Sequence, residues 1–236
     1  MVFNITAHQI QRLSVGVLDA LCPPTCAACG RVGADICRTC RCTIIEELRA
    51  NCSWLPNAAH QTVVGRFEGR IRDVISGMKF KQHRGAARYL GGLVARQLIN
   101  DGIVPGTNVQ AVTWVPASRR RLNERAFDPS EVMARVVGAQ LGLPVVRTLD
   151  RVDSGEQKSR TRIERWNGPG FRGRRTRCDR IILIDDVITT GATVAAASGA
   201  LRTSGVTHIH IAAAAATPHR LAEAASSNQE RYSTAA

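Results

Sequence analysis

The stretch that decides the fold is Ile181–Thr193, IILIDDVITTGAT. Its first four residues are apolar and mostly β-branched. Together with Arg180 they predict a buried strand over Arg180–Ile184, because a strand covered on both faces reads as an unbroken apolar run. Two adjacent carboxylates, Asp185 and Asp186, close the run. A loop of Thr and Gly follows, and Thr193–Ser204 predicts a helix that ends at Gly205. In a parallel sheet, ligands bind beyond the carboxyl ends of the strands, so the carboxylates are expected in a site. The backbone N–H groups of the turn and the helix dipole make an anion site beside them. Thr189, Thr190 and Thr193 add hydroxyl donors, and Gly191 lets the backbone come close to a ligand. One molecule can use both halves: a ribose diol donates to carboxylates, and its 5′-phosphate reaches the N–H cradle. Neighbouring carboxylates repel when buried without a partner. The diol and a Mg²⁺ ion, which takes oxygen ligands, would relieve that repulsion. The stretch is not a P-loop, since no Gly-Lys-Ser/Thr follows.

Outward from this point the pattern alternates. Thr62–Phe67 predicts a strand, and Ile71–Met78 and Ala86–Asn100 predict helices. Residues 101–108, DGIVPGTN, read as a loop. Val109–Val115 reads as a strand ending at Pro116, Ser130–Leu141 as a helix closing at Gly142, and Leu143–Thr148 as a strand. Residues 150–179 lose periodicity and read as a long polar loop, a length that is usually functional or disordered. His208–Ala214 reads as the last strand, with His208 and His210 packing rather than ligating. Strands alternating with helices predict an α/β fold, a parallel sheet with helices on both faces. Residues 1–21 predict an amphipathic helix through Ile10, Leu13, Val17 and Leu21. The expected divisions are an N-terminal helix and cysteine module over 1–61, the α/β domain over 62–220, and a tail over 221–236.

Seven of the eight cysteines fall at positions 22, 26, 29, 37, 40, 42 and 52. The central pattern is two Cys-x-x-Cys pairs, Cys26 with Cys29 and Cys37 with Cys40. Two such pairs supply the four thiolates of a tetrahedral, structural zinc site. Gly30 suits a turn that needs positive φ. Cys22 or Cys42 can stand in for one of the four. The module is too small for its own core, so the metal would organise it. Cys178, alone before a strand, reads as a small buried apolar residue.

The chain of 236 residues carries a net charge of +13. That balance favours phosphate-bearing partners, although only Lys79, Lys81 and Lys158 are lysines and the excess of arginine also fits a compositional bias. Lys79 and Lys81 follow a helix and complement its dipole. SRRRLNER, 118–125, suits pyrophosphate, single-stranded nucleic acid or plain solvation. RGRRTR, 172–177, reads as a solvated loop, with nucleic-acid binding as the alternative. No apolar run is long enough to span a membrane, and the N-terminus does not read as a secretory signal. A cytoplasmic location is expected.

The pattern of four apolar residues, two acids and Val-x-Thr-Thr-Gly-x-Thr resembles the ribose-5-phosphate signature of type I phosphoribosyltransferases, which use phosphoribosyl pyrophosphate with Mg²⁺. Other segments extend the likeness. They are the four-cysteine module, RFEGRIRDVISGMKFK (66–81), VTWVPASRRRLNERAFD (112–128), and Gln157 with Arg165, Trp166 and Asn167. Together they resemble the ComF family, which joins a zinc ribbon to a phosphoribosyltransferase-like domain and is linked to DNA uptake in competent bacteria. The resemblance implies that Asp185 and Asp186 hold the ribose hydroxyls. It implies that Val187, Ile188, Thr189, Thr190, Gly191, Ala192 and Thr193 wrap the 5′-phosphate. It places Pro116, Ala117, Ser118 and Arg119 at the pyrophosphate, with Arg125 nearby, and makes 150–170 a closing hood. The implied reaction is displacement at the anomeric carbon, with Mg²⁺ and Arg119 stabilising the leaving pyrophosphate. Where the family usually shows Arg-Gly-Phe-Asn-Gln, this chain has Arg125, Ala126, Phe127, Asp128 and Pro129. The alternative function is a non-catalytic DNA-uptake factor that binds single-stranded DNA or a partner helicase.

Overall fold

The computed structural model describes residues 23–50, 60–80, 83–152 and 170–217. The expected helix over 1–21, Cys22, Cys52, Lys81, the group of Gln157, Arg165, Trp166 and Asn167, and the tail over 221–236 lie outside them. In chain order the elements are α1 (Arg38–Ala50), β1 (Gln61–Arg66), α2 (Gly69–Phe80), α3 (Arg84–Asn100), β2 (Ala111–Trp114) and α4 (Arg119–Arg125). They continue with α5 (Pro129–Leu141), β3 (Leu149–Val152), β4 (Gly170–Gly173), β5 (Arg180–Ile188), α6 (Ala192–Thr203) and β6 (His208–Ala216).

The main sheet is parallel throughout, in the order β1-β6-β5-β2. Its central strand is built from the decisive stretch, and alternation sorts that strand's side chains between two cores. Ile182 and Ile184 face α2, α3 and α5, with Val112, Trp114, Ala212 and Ala214. Ile181 and Leu183 face α6, with Ala111, Val115, Val194, Ala197 and Leu201. Burial on both sides explains why the sequence shows a solid apolar run and not a period of two. The chain is therefore an α/β fold with a parallel sheet flanked by helices and a four-cysteine cluster at its front.

The cysteine module has no core of its own. Cys26, Ala27, Ile36, Cys37, Cys40 and Ile44 belong to the same apolar cluster as Ile71, Val74, Ile75 and Met78 of α2. The backbone of α2 approaches the module so closely that a Cβ at Gly77 would meet the Ala27 carbonyl. The Glu47 carboxylate of α1 accepts hydrogen bonds from the Arg70 N–H at 2.9 and 3.1 Å, covering an otherwise open donor in the first turn of α2.

Two local expectations are corrected. Leu143–Thr148 is not a strand. It touches β2 at one bridge, Val112 to Val145, because Pro144 has no N–H to give and the pairing stops after two hydrogen bonds. The loop expected over 150–179 contains strand at two places: β3 at its start and β4 at Gly170–Gly173 pair antiparallel as a ribbon off the main sheet. Their sequences, LDRV and GFRG, are too short and polar to signal this. The basic run at 118–125 is helical. The Ser118 side chain caps α4 by accepting from the Arg121 N–H, and Ala126 closes it in the left-handed conformation at φ 58°. At the amino-terminal edge of the sheet, His210 shares a 2.8 Å hydrogen bond with Thr62, and burial pushes its pKa down to about 4. That histidine packs, as expected.

Candidate functional site

The carboxyl ends of β2 and β5 open into a cleft of about 560 Å³. β5 runs past the apolar four, through both carboxylates, to Ile188. The strand therefore presents Asp185 and Asp186 rigidly, within the sheet register, paired alongside Ala213 to Ala215 of β6. The chain then turns at Thr189 to Gly191 and enters α6.

Asp185 is 9% exposed. Its Oδ1 accepts from the Asp186 N–H at 2.8 Å and from the Ser130 hydroxyl at 3.5 Å. Burial, and then the neighbouring Asp186 charge, push its pKa up to about 8. Asp186 is held differently, by the Lys79 ammonium of α2, whose Nζ lies 2.8 Å from Oδ1. Of the two neighbours, one carboxyl holds a proton and the other has a cation, which is how the pair is tolerated without a ligand.

Beyond the pair, α6 starts with Gly191 at φ 74° and no side-chain cap. The Ala192 N–H donates to Thr190 Oγ1 at 3.4 Å, the next amides of the first turn have no cap from Gly191, and Thr193 lines the cleft. Across from it lies the turn after β2. Pro116 and Ala117 line the cleft, and the Ala117 N–H donates to Asp128 Oδ2 at 2.9 Å. Asp128 also caps α5 through the Ser130 N–H at 3.1 Å. Burial pushes the Asp128 pKa up to about 6, against the pull of those amides. Asp128 thus fixes the turn as well as capping α5, a role the sequence reading did not assign to it.

The predicted residues divide. Asp185, Asp186, Val187, Thr189, Thr193, Pro116, Ala117 and Arg125 line this cleft. Gly191 sits at its turn. Ile188 points into the α6 core, Thr190 hydrogen-bonds the Ala192 N–H at 3.4 Å, and Ser118 caps α4. Arg119 lines a neighbouring cleft instead. Arg121, from the run read as suited to pyrophosphate, also lines it, and the polar lining residues that were missed are Ser76, Lys79, Asp128, Ser130 and Arg151. The expected dipole role did not prepare for the Lys79 ion pair. Nothing local in the sequence marks it, because its partner comes from another element.

The four-cysteine cluster is a second, separate centre. The sulfurs of Cys26, Cys29, Cys37 and Cys40 all lie within 4.8 Å of one another. Cys26 and Cys29 come from a turn closed by the Gly30 N–H on the Cys26 carbonyl, with Gly30 at φ 75°. Cys37 and Cys40 come from the start of α1. Cys42 is exposed on that helix and is not in the group. Burial opposes ionisation of Cys26, but surrounding amides outweigh it and bring its pKa down to about 6. Burial and the other three thiols push Cys40 up. Four thiols this close cannot all ionise alone, and a dication with soft-ligand affinity resolves the conflict. The donor set and its closed geometry fit zinc.

No protein-family model and no curated protein matches the chain. Solved structures do. Glutamine phosphoribosylpyrophosphate (PRPP) amidotransferase from B. subtilis, complexed with ADP and GMP, matches at 20% identity and a TM-score of 0.40 over 55% of this chain and 26% of that one. A structure described as the allosteric regulatory enzyme of purine biosynthesis matches at 19% identity and a TM-score of 0.40, over 56% and 26%. A Trypanosoma cruzi hypoxanthine phosphoribosyl transferase matches at 12% identity and a TM-score of 0.32, over 57% and 65%. The chain spans about a quarter of the length of the first two. Among the described residues no helix is long and apolar enough to cross a membrane.

Proposed function

We propose that the protein binds phosphoribosyl pyrophosphate together with a divalent cation in the 560 Å³ cleft and transfers its phosphoribosyl group to an acceptor. One observation carries this reading. The adjacent carboxylates of β5 and the uncapped start of α6 face the same cleft, so diol acceptors and phosphate donors lie side by side. The 5′-phosphate would sit at Thr189 to Thr193, and the ribose hydroxyls would donate to Asp185 and Asp186. The turn at Pro116 and Ala117, braced by Asp128, would face the pyrophosphate, with Arg121 and Arg125 close by.

Asp186, and Asp185 once its proton has left, are the oxygen donors that fit a Mg²⁺ ion. When bound, such an ion offsets charge on the pyrophosphate. Arg125 and Arg121 add fixed positive charge where the leaving group gains electrons. No side chain need act as a covalent nucleophile. Zinc at Cys26, Cys29, Cys37 and Cys40 would be structural, since four protein ligands leave no open position. Reduced thiols of this kind suit the cytoplasm.

Calorimetry tests the reading. Phosphoribosyl pyrophosphate should bind the wild type with Mg²⁺ and bind far more weakly without it. The double variant Asp185→Asn with Asp186→Asn should lose the Mg²⁺-dependent binding. A folded, zinc-loaded wild type that binds nothing would remove the enzyme reading and make single-stranded DNA the next ligand to try.

A further inference from the structure

Beside the first cleft, across the Pro116–Ala117 turn, lies a second one of about 410 Å³. Five arginines line it: Arg119 from α4, Arg147 from the segment before β3, Arg151 from β3, and Arg172 and Arg174 from β4. The two basic runs of the sequence, 118–125 and 172–177, meet here. Neither reading of those runs as separate features anticipated this.

The carboxylates in the same wall are already committed. Asp150 accepts from Arg174 at 2.6 and 2.9 Å, and Arg147 lies 3.0 Å from it. Asp128 accepts two backbone N–H bonds, from Ala117 and Ser130. Glu131 takes Arg135 at 2.7 Å. The Arg172 side chain, by contrast, is exposed and makes no hydrogen bond or ion pair among the described residues. Among the described residues the lining therefore holds a surplus of guanidinium charge and no carboxylate left over for a metal ion. Guanidinium forks match phosphate oxygens two at a time. The volume suits a small molecule.

We propose that this second cleft is an anion site that takes a compact oligophosphate without a metal ion. A nucleic acid fits less well, because strand binding without base pairing relies on exposed aromatic platforms. Among the described residues the one aromatic side chain in this lining, Trp114, is 7% exposed. Phe171 nearby is covered by the Arg151 guanidinium, 5.5 Å from its ring centre. The site goes beyond the phosphoribosyl reading and does not depend on it, since Asp185 and Asp186 take no part.

The test is calorimetric titration of the full chain with inorganic tripolyphosphate in the presence of EDTA. Arg147→Ala with Arg172→Ala should weaken binding by about tenfold or more, as loss of two charge-assisted contacts requires. Arg121→Ala with Arg125→Ala removes the same charge from the first cleft and should change affinity by less than about threefold if the attraction is local. Arg172→Ala alone touches no partner, so its fold is safe, and it should weaken binding by itself. Equal weakening in both double variants would overturn the proposal, showing diffuse attraction. Loss confined to the Arg121 and Arg125 variant, or no binding by the wild type, would also overturn it. So would a single-stranded oligonucleotide that binds more tightly than tripolyphosphate and needs the same arginines.

Discussion

Lys79 and Asp186 are 107 residues apart in the chain, and Nζ lies 2.8 Å from Oδ1. The ammonium stands where a divalent cation would approach the carboxylate. Both side chains are mostly buried, 24% and 14% exposed. In the ligand-free protein Lys79 therefore neutralises Asp186 and competes with metal for it. Lys79→Gln should lower stability by roughly 1–2 kcal/mol, because it strands a largely desolvated carboxylate. The same variant should bind Mn²⁺ more tightly in the absence of any phosphate ligand. Urea melts and Mn²⁺ titration read the two effects, and an unchanged Mn²⁺ affinity would show that the ammonium does not compete.

Asp185 makes the site sensitive to pH. Its carboxyl keeps a proton in the folded state up to about 8, against an ordinary value of 3.8. Between those values the folded chain holds a proton that the unfolded chain has lost, so this group's contribution to stability falls as pH rises through the window. Asp185→Asn should flatten that part of the stability profile. Binding of a divalent cation should release a proton at pH 7, and cation affinity should climb until pH passes about 8. Calorimetry in two buffers of different ionisation enthalpy counts the proton directly.

The cysteine cluster should carry about one zinc ion per chain, as a four-thiolate site does. Chelation, or Cys37→Ser, should lower the melting temperature and also loosen the first cleft, because Cys37 and Cys40 share a core with the helix that carries Lys79. Hydrogen exchange along Gly69–Phe80 is the measurement. Protection unchanged after metal loss would show that the module and the cleft are mechanically independent.

Gly77 tests the same contact from the other side. In an ordinary helix interior, Gly→Ala is stabilising by roughly 0.5–1 kcal/mol. Here the new Cβ would run into the Ala27 carbonyl, which is backbone and cannot rotate away. Gly77→Ala should therefore destabilise, by about 1–3 kcal/mol as overpacking does. A thermal melt at or above the wild-type midpoint would contradict the close approach.

Much of the site was legible because its chemistry is contiguous. Asp185, Asp186 and the Thr-Gly turn are neighbours in sequence, and the short, β-branched apolar run before them reads as a strand buried on both faces. The four cysteines were legible for the same reason, since two short spacings carry the whole donor set. What was hidden came from pairing at a distance. Lys79 reads as a helix-end charge until α2 is placed against β5. Arg119 reads as a pyrophosphate contact until α4 turns it toward the second cleft. The β3–β4 ribbon is invisible because each strand has four residues and few apolar ones.

The sequence by itself determined the alternation of strands and helices, the metal-type spacing of the thiols and the acid pair directly after a buried apolar run, although the strand expected to end at Ile184 continues through both acids to Ile188. These are properties of short windows, set by burial, period and turn chemistry. Only the tertiary structure decided which cation meets Asp186, which carboxylate holds its proton, and that two remote arginine runs share one wall. Those outcomes depend on the distance and desolvation between groups, and folding alone brings such groups together.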